Sequence, residues 1–96
     1  MKDLLPLWEI HQSSGWPQSV GPNEGELMTL DTVIGGCVIY YLESAQGLDE
    51  RRLDILESCL ADLDALLPEL DGEAAAYFQR LQRIGSLLWE AQRDRP

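Results

Sequence analysis

The sequence predicts an all-α fold: an up-down-up three-helix bundle behind an N-terminal arm or short helix, with two copies meeting as a dimer. Three observations point there. Leu53, Leu56, Leu60, Leu63, Leu67 and Leu70 alternate steps of three and four, the seam of a packed helix. Leu27, Leu30, Ile34, Cys37 or Val38, and Tyr41 keep the same period through NEGELMTLDTVIGGCVIYYLES. The links between periodic segments are short, which sets neighbouring helices antiparallel.

The chain has 96 residues, enough for one domain and one modest core. Residues 1–22 read as an arm and loop lying on a bundle formed by residues 23–96, with helices over 24–45, 49–67 and 72–93. In the arm, Leu4, Leu7, Trp8 and His11 share one helical face, with Asp3 as cap and Pro6 in the first turn. An edge strand also suits its alternation. Either way Leu4, Leu5, Leu7, Trp8 and Ile10 need cover. Gln12 to Pro22 is loop by composition, pinned by Trp16 and Val20.

Asn23 offers a cap for the first long helix, with Glu26 three residues on completing a relaxed capping box. The run VIGGCVIYYL alone suits a strand, but about 20 periodic residues behind a cap favour a helix. Gly47 supplies a left-handed stop. Asp49 caps the second helix, Leu48 staples to Leu53 across it, and Ile55, Cys59 and Leu66 widen the leucine seam. Pro68 ends or kinks that helix. The third starts at Asp71 and turns Ala74, Tyr77, Phe78, Leu81, Ile84, Leu88 and Ala91 inward. Arg93 and Arg95 suit its negative end, and Pro96 follows.

Val33 to Leu42 is apolar on more than half its circumference, and two neighbours cover only about half of a helix. That excess predicts a homodimer through the first long helix, with help from the arm. Gly35 and Gly36 sit about 17 Å along their helix and Gly85 about 20 Å along the third. The expectation is that the two helices pinch together at those glycines, or that the pair faces its copy. Ile39, Tyr40 and Trp89 are the accompanying contact residues.

Seventeen acids against seven bases give a net charge of −10. Duplex nucleic acid is repelled by that balance, and a basic protein is not. Glu50, Asp54, Glu57 and Asp64 recur at four, three and seven along one line of the second helix. They form either a solvated face or a docking line for a basic partner, and such a line also mimics nucleic-acid phosphates.

Catalysis finds little support. The single histidine, His11, reads as a surface residue near a turn, and no triad, zinc spacing or phosphate-cradling glycine loop accompanies it. No cofactor or metal is expected. Cys37 and Cys59 lie in apolar helical faces and read as reduced thiols of a cytoplasmic protein. The start MKDLLPLWEI reads as mature sequence rather than a signal peptide, and no apolar run reaches the roughly 18 residues of a membrane span.

The expected function is therefore a non-enzymatic, acidic, homodimeric interaction module. It engages a basic protein as an adaptor, immunity or antitoxin-like factor, by analogy of charge and size. The other reading is a small-molecule binder or minor enzyme with an aromatic pocket at the arm, formed by Trp8, His11 and Trp16.

Overall fold

The computed structural model describes residues 3–94. They form four helices in order, α1 (Leu4–Ser13), α2 (Glu24–Glu43), α3 (Glu50–Leu66) and α4 (Gly72–Arg93), with no strand among the described residues. Arg95 and Pro96 lie outside them. The arm is a helix rather than an extended segment, and the reason is its spacing. Leu4, Trp8 and His11, four and three apart, are buried together along one face. Leu5 and Ile10 fall on the other side and remain half exposed, so the expectation that they are covered is corrected.

Local signals set the ends of the helices unevenly. The Asp49 carboxylate accepts from the Arg52 backbone N–H at 2.8 Å, a capped start for α3. Arg52 Nη1 also donates to Asp49 at 2.6 Å, and these contacts, the backbone bond foremost, hold the carboxyl below its usual range. Asn23 makes no such cap; its side chain bonds no N–H of α2. Trp16 Nε1 instead donates to Glu24 at 2.8 Å, tying the loop after α1 to the start of α2. α2 stops at Glu43, and Gly47 takes its left-handed φ of 78° four residues later, in the link to α3. Pro68 lies in a 3-10 turn, Leu67–Glu69, that follows α3.

α4 is the central element and packs against α1, α2 and α3, while α3 also packs against α2. Its inner face buries Tyr77, Phe78, Leu81, Ile84, Leu87 and Leu88. From α2 come Leu27, Leu30, Ile34, Cys37, Val38 and Tyr41, and from α3 Leu56 and Leu63. Ile55, expected to widen the α3 seam, points outward instead. The radius of gyration is 13.0 Å, as tight as a globular chain of about 100 residues should be.

The interior glycines correct the expected pinch between α2 and α4. A Cβ at Gly85 would run into the end of the Leu60 side chain from α3, with Ile34 of α2 beside it. A Cβ at Gly35 would stand 3.2 Å from the Trp8 ring of α1. Each of these glycines admits a large side chain from a neighbour rather than a facing backbone. Around Gly36 there is open space.

Candidate functional site

Three features carry chemistry beyond packing: a buried polar network at the α1 end, the outer face of α2, and the carboxylate line on α3.

The network centres on His11, which is buried, correcting its reading as a surface residue. Its Nε2 lies 2.8 Å from Asp31 Oδ1 on α2. Arg80 Nε on α4 donates to its Nδ1 at 3.4 Å. A donor at Nδ1 leaves the ring proton on Nε2, a tautomer assigned from these partners. Asp31 Oδ2 accepts from the Tyr77 hydroxyl at 3.1 Å. Burial first, then the Asp31 charge and its hydrogen bond, push the Tyr77 phenol up to about 12. Three helices thus meet on one carboxylate and one imidazole. Asp31 signals this in the sequence, being the only charged residue between Glu26 and Glu43; its partners are 20 and 46 positions away.

Trp8, His11 and Trp16 line neither of the two best-formed clefts. Trp8 stacks over His11 at 6.0 Å, and His11 lies 4.5 Å from the Tyr77 ring. Trp16 meets Tyr77 and Phe78 edge-on at 5.6 and 5.5 Å. The rings fill one another's space, each pair adding roughly 0.5–1.5 kcal/mol beyond area burial. A cleft of about 310 Å³ lies alongside, lined by Ser14, Gly15, Glu73, Ala76, Tyr77 and Arg80, none of them a residue of the expected aromatic pocket.

The outer face of α2 is different in kind. Met28 is 50% exposed, Ile39 44%, Leu42 40% and Tyr40 38%. Gly36 lies among them with nothing near its missing side chain. Thr29 and Thr32 return their hydroxyls to the Gly25 and Met28 carbonyls, which lowers the polarity of that surface. Asp31, the one charge in the span, is engaged inward. Tyr40 is stacked on one side by the Arg52 guanidinium, 3.8 Å from its ring centre. The result is a partly apolar strip, edged by the Arg52 guanidinium, on a strongly acidic protein.

On α3, Glu50, Asp54, Glu57 and Asp64 are all exposed. None has a Lys, Arg or His within 4.0 Å among the described residues, because Arg52 is turned to Asp49 and Tyr40. Trp89, expected as an exposed contact, is half-buried, with Arg93 over its ring at 4.9 Å. Cys37 is buried and Cys59 half-buried, both as free thiols, and burial pushes both upward from their ordinary values. No three His, Cys, Asp or Glu side chains gather in a metal-holding group among the described residues. No helix of the described residues is long and apolar enough to cross a membrane.

No protein-family model, curated protein or solved structure matches this chain.

Proposed function

We propose that this protein is a non-catalytic, acidic interaction module that pairs with a second copy through the outer face of α2, leaving the α3 carboxylates to a basic protein partner. Gly36 carries the reading. An interior helical glycine costs roughly 1 kcal/mol against alanine, and no described residue of its own subunit occupies the space it leaves. Close approach of a second helix gives that space a use. Two chains of charge −10 repel, so they associate best where acidic charge is sparse, and the strip from Met28 to Leu42 carries one acid, Asp31, which bonds inward, beside the Arg52 guanidinium over Tyr40.

The bundle proposed for each subunit is up-down-up in α2, α3 and α4. Three contacts support it: Cys37 beside the Arg52 carbonyl, Gly85 beside Leu60 and Ile34, and the Leu48 N–H donating to Gln92. Absence of catalysis fits side chains already committed. Both ring nitrogens of His11 are bonded, and thiols with raised pKa are poor nucleophiles. The basic partner, met by a cytoplasmic adaptor, immunity or antitoxin-like factor, is supported by Glu50, Asp54, Glu57 and Asp64 of α3, which have no ion pair among the described residues.

Light scattering tests the pairing. The wild-type chain is expected at twice its 10.8 kDa mass. Gly36→Leu and Ile39→Glu are expected at the single-chain mass with unchanged helical circular dichroism, since both positions face outward. A wild type that stays at single-chain mass at every concentration defeats the proposal.

A further inference from the structure

We infer that the cleft between the end of α1 and the first half of α4 binds a small linear zwitterion, its carboxylate on Arg80 and its ammonium on Glu73. The inference is independent of the pairing through α2.

Arg80 is the starting point. Arg51, Arg80 and Arg83 have no carboxylate within 4.0 Å among the described residues, and of these only Arg80 is half-buried. Of the two half-buried arginines among the described residues, Arg52 has a carboxylate partner, Asp49 at 2.6 Å. Arg80 has none within 4.0 Å. Its Nε is held by His11 Nδ1, and its terminal nitrogens bond nothing among the described residues. Four N–H donors in a rigid fork are therefore left, and a fork of that shape matches a carboxylate in two parallel bonds.

The buried network explains how the fork is held. Asp31 fixes the His11 tautomer, His11 holds the Nε edge of Arg80, and Asp31 also takes the hydroxyl proton of Tyr77. Both outputs of the network, Arg80 and Tyr77, line the cleft. Asp31, His11 and Tyr77 are thus positioning residues. The Nε bond to His11 fastens α1 to α4, the Tyr77 ring lies 5.4 Å from the guanidinium carbon, and neither contact uses the terminal N–H groups.

Glu73 determines the rest of the ligand. It lines the same cleft, seven residues before Arg80, so the two backbones are about 10 Å apart along the helix. It is exposed and has no basic partner among the described residues. One acid and one base at opposite ends suit a molecule with one charge of each sign, and Ala76 offers apolar contact between them. Long-range charge selects the same class: a simple anion is repelled by a protein of charge −10, and a neutral zwitterion is not. At about 310 Å³ the cleft lies at the small end of ligand sites, which fits a dipeptide or an ω-amino acid.

The test is titration of the full chain with 6-aminohexanoate, followed by amide and Arg Nε–H resonances. Saturable shifts are expected at Gly15, Tyr77 and the Arg80 Nε–H. Diglycine as a second probe separates a free ω-amino acid from a peptide end; tighter binding of either supports the site and identifies the source. Arg80→Gln is expected to weaken binding roughly tenfold or more, as for a lost charge-assisted pair. Glu73→Gln, at an exposed position that leaves folding intact, is expected to weaken it about threefold, as for an exposed ion pair. Hexanoate is expected to bind more weakly than 6-aminohexanoate. Absence of a saturable shift in the wild type, binding that survives Arg80→Gln, or hexanoate binding equally well would each overturn the inference.

Discussion

The two sides of α2 come from one stretch of sequence and do opposite things. Ile34, Cys37, Val38 and Tyr41 face inward and are buried by the other helices. Met28, Gly36, Ile39 and Tyr40 face outward on the same twenty-residue helix and are not. The adjacent glycines put the contrast in its smallest form. Gly35 lacks a side chain because Trp8 takes the space, while Gly36 lacks one with no such reason among the described residues of its own subunit. Hydrophobicity is therefore a poor guide to which side is core. The neighbours decide, and among the described residues the outer side is apolar with little cover beyond Arg52 over Tyr40.

The largest effect expected from this contrast is on folding. Ile34→Ala removes a fully buried side chain and is expected to cost about 3 kcal/mol of unfolding free energy, within the range for such truncations. Ile39→Ala, read in denaturant at dilution where chains are single, is expected to stay within about 0.5 kcal/mol. Equal losses at the two positions would erase the distinction between the faces.

The glycine pair should respond with opposite signs. Gly36→Ala gains helix propensity in open space and is expected to raise single-chain stability by up to about 1 kcal/mol. Gly35→Ala must displace the Trp8 ring from 3.2 Å, and its urea midpoint is expected to fall. A rise at both positions would mean that Trp8 gives way without cost.

The effect confined to an extreme of pH is in alkali. Tyr77, joined to the inward carboxylate of α2, has its phenol raised from an ordinary value near 10 to about 12. A raised folded pKa means that the associated stability is whole below about pH 10 and is lost as pH rises through 12. Difference absorbance of the wild type against Tyr77→Phe should show a phenolate step near the upper value. A step near 10 would remove Asp31 and burial as the controlling influences.

Helices were legible wherever period and punctuation agreed. The third predicted helix, over 72–93, runs in the structure from Gly72 to Arg93, between Asp71 and the described end of the chain. Other local signals misled. Asn23 has the residue type of a cap and makes no capping bond, because its backbone at φ −95° and ψ 17° is not the extended conformation of a capping residue. Ile55 has the hydrophobicity of a seam residue but lies outside the arc that α3 presents to its neighbours. His11 near a turn looked like surface, yet its position three after Trp8 turns it inward.

What the sequence determined by itself was the helical character of the chain, its acidic surface and the presence of more apolar area on α2 than one face needs. These follow from period, charge count and composition, which are properties of residues along a line. Only the tertiary structure decided which glycine is filled, which half of the α2 surface stays open, and that Asp31, His11, Tyr77 and Arg80 converge. Those depend on distances between residues far apart in the chain, set when α4 gathers the other three helices around itself.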